Sequence, residues 1–322
     1  MSLDQLRRTA RAYRQHQAAV AQAATARAAA LWSMLDSADL SGSWAASVGP
    51  QLVRTLTVAQ RVVASSATAY VGASLSAQDA DPASAGAVQP VNFSGAAADG
   101  RALSALMYLP VIDTKVAVAG GASVADALGI GLTSLTRLVE TETADAGRDA
   151  LWSSMAAAPS VHGYVRMVSG SACPRCIILA GKHYRWNASF LRHPHCHCTG
   201  IPAVEDRAGH LSTDPHAFFD HLSPAEQDAR FGKDAAAAIR HGADIFQVVN
   251  ARRGLYRTEV FGRDVQATTE GTTRRGIAGQ VMRTRLPNGT GGLRLSVAQI
   301  FADAGEDRAL VADLLRKYGY LF

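Results

Sequence analysis

The sequence predicts a mainly α-helical protein with long N-terminal helices and one small α+β unit. Three observations carry this. Of 322 residues, 48% are hydrophobic but only 7% aromatic, a balance that suits alanine-rich helices packed through small side chains better than an aromatic-rich sandwich. Apolar residues recur at steps of three and four over long stretches. That pattern changes near residue 159, where short β-branched and aromatic runs flank all four cysteines of the chain.

Residues 1–75 are expected to form a helical hairpin or arm. From Leu3 to Leu35 the positions Leu6, Ala10, Tyr13, Val20, Ala24, Ala28 and Leu31 make one apolar face, interrupted at Gln17. Such a face needs a partner, either the helix expected over 50–75, where Pro50 suits a helix start, or another subunit. Residues 76–96, "SAQDADPASAGAVQP" and its flank, read as a linker. A core follows over 97–250: helices at 97–158 with Ser123 as an N-cap, the cysteine-bearing unit at 159–215, and helices at 216–250. In the unit, strands are expected at 161–169, 182–186 and 195–201. Ser223, Pro224 and Glu226 spell a capping box. Segment 251–294 is expected to be basic and irregular, and 295–322 to form two short helices broken at Gly305.

Charge and hydropathy exclude several classes. No apolar signal core follows "MSLDQLRRTARAYRQHQ", so the chain is expected in a reducing cytoplasm. The most apolar window, 116–135, carries Asp126 and four glycines, which favours a buried helical hairpin over a membrane span. The net charge of +5 rests on arginine, whose planar fork suits phosphate, carboxylate and protein interfaces. In segment 251–294, Arg252, Arg253, Arg257, Arg263, Arg274, Arg275, Arg283, Arg285 and Arg294 face Glu259, Asp264 and Glu270. The segment is a solvated loop or an arm for DNA phosphates or an acidic protein surface.

The cysteines carry the chemistry. Cys173 and Cys176 form a C-x2-C half-site, and after nineteen residues Cys196-His-Cys198 follows, close to the spacing of structural zinc sites. An extended C-x-C leaves its residues about 6.5 Å apart, whereas sulfurs on one tetrahedral zinc lie roughly 3.8 Å apart, so the backbone must bend. His193 and Cys196 repeat the i, i+3 spacing of the first half-site. Two ligand sets therefore stand, four cysteines or three with His193. A reducing compartment argues against disulfides. The chain has no H-E-x-x-H and no H-x-E before the C-x2-C, so a closed structural zinc is expected and no catalytic residue is assigned.

"YVRMVSGSACPRCIILAGKHYRW" followed by "RHPHCHCTGIPAV" resembles the core of the phage Mu F-like head morphogenesis family. Cys173, Cys176, Gly181, His193, Pro194, Cys196 and Cys198 match its pattern, and similarity to minor capsid proteins of actinobacterial phages extends over most of 100–322. Two positions depart from it. His197 stands where many relatives have Arg, and Ser169-Gly-Ser171-Ala where many carry an Asp.

The resemblance implies a minor capsid protein in the virion, inside the capsid near the portal and in host cytoplasm before assembly. It would act in procapsid assembly, DNA packaging or delivery, in several copies on the portal ring. Its implied partners are the portal protein, the major capsid or scaffold protein and, non-specifically, packaged DNA, with no membrane. The alternatives are a capsid-associated enzyme, such as a maturation protease or toxin-type effector, and a zinc-containing nucleic-acid-binding module.

Overall fold

The computed structural model describes residues 3–168, 172–190, 193, 196, 198–204, 214–260, 262–285 and 293–322. The chain is mainly helical with small antiparallel sheets. It groups into two compact units, Met1–Ser169 with Gly181–Ser212, and Gly170–Ala180 with Thr213–Phe322.

In the first unit, α1 (Leu3–Trp32), α2 (Leu40–Ser43), α3 (Gly49–Ser65), α4 (Ala67–Ser76) and α5 (Leu103–Ala119) precede the long helix α6 (Val124–Ala156). Helix α6 packs against α1, α3, α4 and α5. The apolar stripe of α1 is buried as its spacing requires, with Leu6, Ala10, Ala28 and Leu31 fully covered. Gln17, the interruption in that stripe, has a structural task. Its Nε2 donates to Val63 O at 3.0 Å and to Ser66 Oγ at 3.1 Å, where α3 gives way to α4 and Ser66 Oγ also donates to Val63 O. The partner of α1 thus includes its own chain, and segment 76–96 falls inside the first unit.

Ser123 caps α6, accepting from Asp126 N. The hairpin of α5 and α6 turns at Gly120 and Gly121, but it is not buried throughout as expected. Trp32 Nε1 donates to Leu128 O at 3.1 Å. Toward the turn Val116, Val118 and Val124 face outward, as does Ile130 beside it. No helix among the described residues is long and apolar enough to cross a membrane. Strands β1 (Gly163–Met167), β2 (His183–Arg185) and β3 (Thr199–Ala203) form an antiparallel sheet in the order β2-β1-β3. The third strand starts at Thr199, not at residue 195, so Cys196 and Cys198 precede it.

The second unit contains α7 (Pro174–Ile177), α8 (Pro215–Asp220), α9 (Pro224–Phe231), α10 (Lys233–Arg240) and α11 (Ile245–Ala251). It continues with β4 (Leu255–Val260), β5 (Arg263–Thr268), α12 (Ile277–Arg285), β6 (Arg294–Leu295), α13 (Val297–Ala304) and α14 (Arg308–Lys317). The Ser223–Glu226 capping box forms at α9, and Gly305, at φ 56°, separates α13 from α14. Segment 251–294, expected to be irregular, holds two paired strands and a helix. Val265 and Ala267 point inward while most of β4 is exposed, so charged residues mask the alternation that marks a strand.

Two tests follow from α6. A methyl added at Gly131 would meet Thr114 Oγ1, the Trp32 ring and Pro110 O, so Gly131→Ala is expected to cost about 1–3 kcal/mol in urea unfolding. Burial, aided by the like charge of Asp145, raises the Glu142 carboxyl above its ordinary range, although Ala98 N donates to it at 2.8 Å. A raised carboxyl contributes stability at low pH that is lost as pH rises through its folded-state value. Glu142→Gln, which keeps an acceptor for Ala98, should therefore gain in melting temperature over the parent as pH rises from about 4 to about 7.

Candidate metal centre

The candidate centre begins with two turns of the same kind. Cys173 stands at the N-cap of α7 with Pro174 in its first turn, and Cys176 N donates to Cys173 O at 2.9 Å. Pro174 fixes its own φ and lacks an N–H where none is needed. Twenty residues on, Cys196 N donates to His193 O at 3.1 Å. Each turn brings residues i and i+3 to one side, the arrangement that the spacing of the second pair implied.

Two groups of ligand atoms form. The thiol sulfurs of Cys173 and Cys176 with a ring nitrogen of His193 lie within 4.8 Å of one another, and so do the sulfurs of Cys176, Cys196 and Cys198. Cys176 belongs to both. Cys176, Cys196 and Cys198 are buried, while Cys173 and His193 are half-buried. The cluster could hold a metal ion. Soft thiolates with an imidazole, at separations near the roughly 3.8 Å of a tetrahedral sulfur pair, suit zinc. Both ligand sets remain represented, since His193 shares a group with the first half-site and the C-x-C pair completes the other.

The sulfurs of Cys196 and Cys198 lie within 4.8 Å of each other, closer than the about 6.5 Å spacing of extended i and i+2 positions, and an arginine holds both carbonyls. Arg148 of α6, buried, donates from Nη1 to Cys196 O at 2.6 Å and to Cys198 O at 3.3 Å, and its Nη2 pairs with Asp145. In an extended backbone the carbonyls of residues i and i+2 point to the same side, so one guanidinium can take both. A second buried arginine, Arg166 of β1, donates from Nη2 to the sulfurs of Cys198 at 3.6 Å and Cys196 at 3.8 Å. Its guanidinium carbon lies 4.2 Å from the centre of the Phe190 ring.

Helices then secure β3. Tyr70 Oη donates to Gly200 O at 3.0 Å, Gln78 Nε2 to Pro202 O at 2.8 Å, and Val204 N donates to Gln78 Oε1 at 3.4 Å. The Tyr70 ring stacks on Tyr13 of α1 at 4.0 Å, and burial raises both hydroxyls well above the ordinary phenol range. On the sheet, Tyr164 stacks on Tyr184 at 5.4 Å and donates to Ala188 O at 2.5 Å. Burial pushes it up to about 12. Gly200 is needed here because a Cβ would come within 2.9 Å of the Tyr164 ring. Beside Cys198 a cavity of about 40 Å³ is lined by residues including Tyr13, Gln17, Arg148 and Thr199, room for a few waters rather than a substrate.

The five candidates named from the sequence fall in the two ligand groups, and Arg148 and Arg166 were not named from it. The signal for Arg166 was a charge in the middle of "YVRMV". His195, His197 and the Ser169–Ser171 departure lie outside the described residues. The basic segment is not one surface. Arg294, 1% exposed, donates to Glu270 O, Tyr318 O and Gly319 O and lies over the Tyr320 ring, so it is a core residue. Arg252 donates to Phe231 O, Arg263 pairs with Asp303 at 2.7 Å, and Arg283 donates to Arg274 O. Arg253, Arg257, Arg274 and Arg275 are exposed, and the side chain of Arg285 lies outside the described residues.

The model of the VG15 protein family matches residues 5–225, well over half of the chain, and the chain belongs to that phage-associated viral-gene family. No curated protein and no solved structure matches it.

Because Cys176 is common to both ligand groups, Cys176→Ser is expected to abolish metal binding. Cys173→Ser and His193→Ala each leave the other group whole and should bind more weakly. Native mass spectrometry of the refolded proteins in zinc reads the ratio. Equal retention of metal by all three variants would contradict the shared role of Cys176.

Proposed function

We propose that this phage protein is a minor capsid protein of the Mu F-like type, acting in head morphogenesis at or near the portal, with a structural zinc and no catalytic role. The observation that carries the reading is a buried Cys/His cluster whose backbone is gripped by helices. Such a centre spends its ligands on holding shape. Zinc there would bind through Cys173, Cys176, Cys196, Cys198 or His193 and supply folding free energy, on the order of 10 kcal/mol for small zinc units.

The surroundings of the cluster also favour a structural role. Residues 150–204 contain no Asp or Glu, so this stretch supplies no carboxylate base for a metal-bound water. The metal unit would serve as a scaffold in the virion. The helical surfaces would meet portal, capsid or scaffold protein, and Arg253, Arg257, Arg274 and Arg275 would be free to meet packaged DNA.

One observation favours the nucleic-acid-binding alternative. On the first unit, Pro159, Val161, His162, His183, Arg185 and Trp186 line an open groove of about 510 Å³. Cationic and aromatic side chains together suit a nucleic-acid strand, and binding there would fall steeply with salt.

Quantitative mass spectrometry of purified virions and of particles emptied of DNA separates these readings. A minor capsid protein should appear at low copy number relative to the major capsid protein. Its absence from both virions and procapsids would sink the proposal.

A further inference from the structure

The metal reading accounts for the thiols but leaves unexplained a fully buried guanidinium at their side. Arg166 is 2% exposed, in the central strand of its sheet, opposite Gly200 of β3. A buried cation costs several kcal/mol unless an anion and hydrogen-bond acceptors meet it. Its Nη2 is aimed at the sulfurs of Cys196 and Cys198, and its flat face rests on Phe190. Neutral thiols are weak acceptors. Metal-bound thiolates carry negative charge, and a zinc held by three or four of them bears a net charge of −1 or −2.

We propose that Arg166 is the internal counter-ion of the metal centre, a positioning residue that ties metal affinity to the stability of the fold. With metal, the guanidinium neutralises the thiolate pair that it touches. Arg166 therefore strengthens the loaded protein more than the metal-free one. Arg148 does not share this role, since it meets backbone carbonyls and Asp145. Phe190 fixes the guanidinium plane through the cation–π contact, so its side chain belongs to the same device.

The inference rests on the structural-metal reading above, and the test separates the two. The full chain and its Arg166→Met and Arg166→Lys variants are titrated with zinc against a chelator of known affinity. Each is also unfolded in urea with and without zinc. The counter-ion role predicts that Arg166→Met binds zinc at least tenfold more weakly, with Arg166→Lys in between. It also predicts that Arg166→Met lowers the urea midpoint by more when loaded than when metal-free. A merely structural arginine would lower both midpoints equally, and that result, or zinc affinity within twofold of the parent, overturns the proposal. Should Arg166→Met fail to fold in either state, Arg166→Gln, which keeps donors without the charge, decides, with an expected zinc affinity at least tenfold weaker than the parent's; affinity within twofold overturns the proposal. A parent chain that binds no zinc overturns the metal reading itself, and this inference with it.

Discussion

A strand at the edge of a sheet must find partners for the backbone groups on its outer side, and in the first unit that requirement is met by side chains from helices. Strand β3 pairs with β1 on one side only. On the other, Tyr70 and Gln78 reach Gly200, Pro202 and Val204, and Arg148 takes the carbonyls just before the strand. Buried carbonyls left without donors would cost about 1–3 kcal/mol each. The same contacts close the sheet edge to other chains and fix the backbone that bears Cys196 and Cys198. Packing of α1, α4 and α6 is thereby tied to the geometry of the cysteine pair.

Much of this was legible locally. The stripe on α1, the caps at Ser123 and Ser223 and the i, i+3 half-sites are written in neighbouring residues, because each is produced by interactions within a few positions. Gln17, Arg148 and Arg166 were not legible. A polar residue in an apolar pattern ordinarily marks a solvated face, and what buries these three lies between 30 and 50 residues away in the chain. The paired strands β4 and β5 were hidden for a related reason. Their exposed positions carry Arg, Glu and Asp, so only Val265, Ala267 and Thr268 show the buried side.

Both arginines beside the C-x-C pair are buried and engaged with sulfurs, carbonyls or Asp145. The cavity against Cys198 is small, and the larger groove lies on the β2 side of the sheet, where Arg185 and Trp186 line it.

The long reach of these contacts also governs when the first unit can form. The stripe of α1 is covered by α6, which ends at Ala156, and Tyr70 waits for Gly200. Helices α3 and α4 can cover part of that stripe first, but about half of the chain must leave the ribosome before α6 completes the cover, and still more before the sheet edge is closed. Loop closure over such separations slows folding. Until then α1 carries a partly uncovered apolar stripe, and the window in which it can meet another nascent chain or a chaperone closes once Gly147, whose carbonyl accepts from Tyr13 Oη at 3.4 Å, has been made.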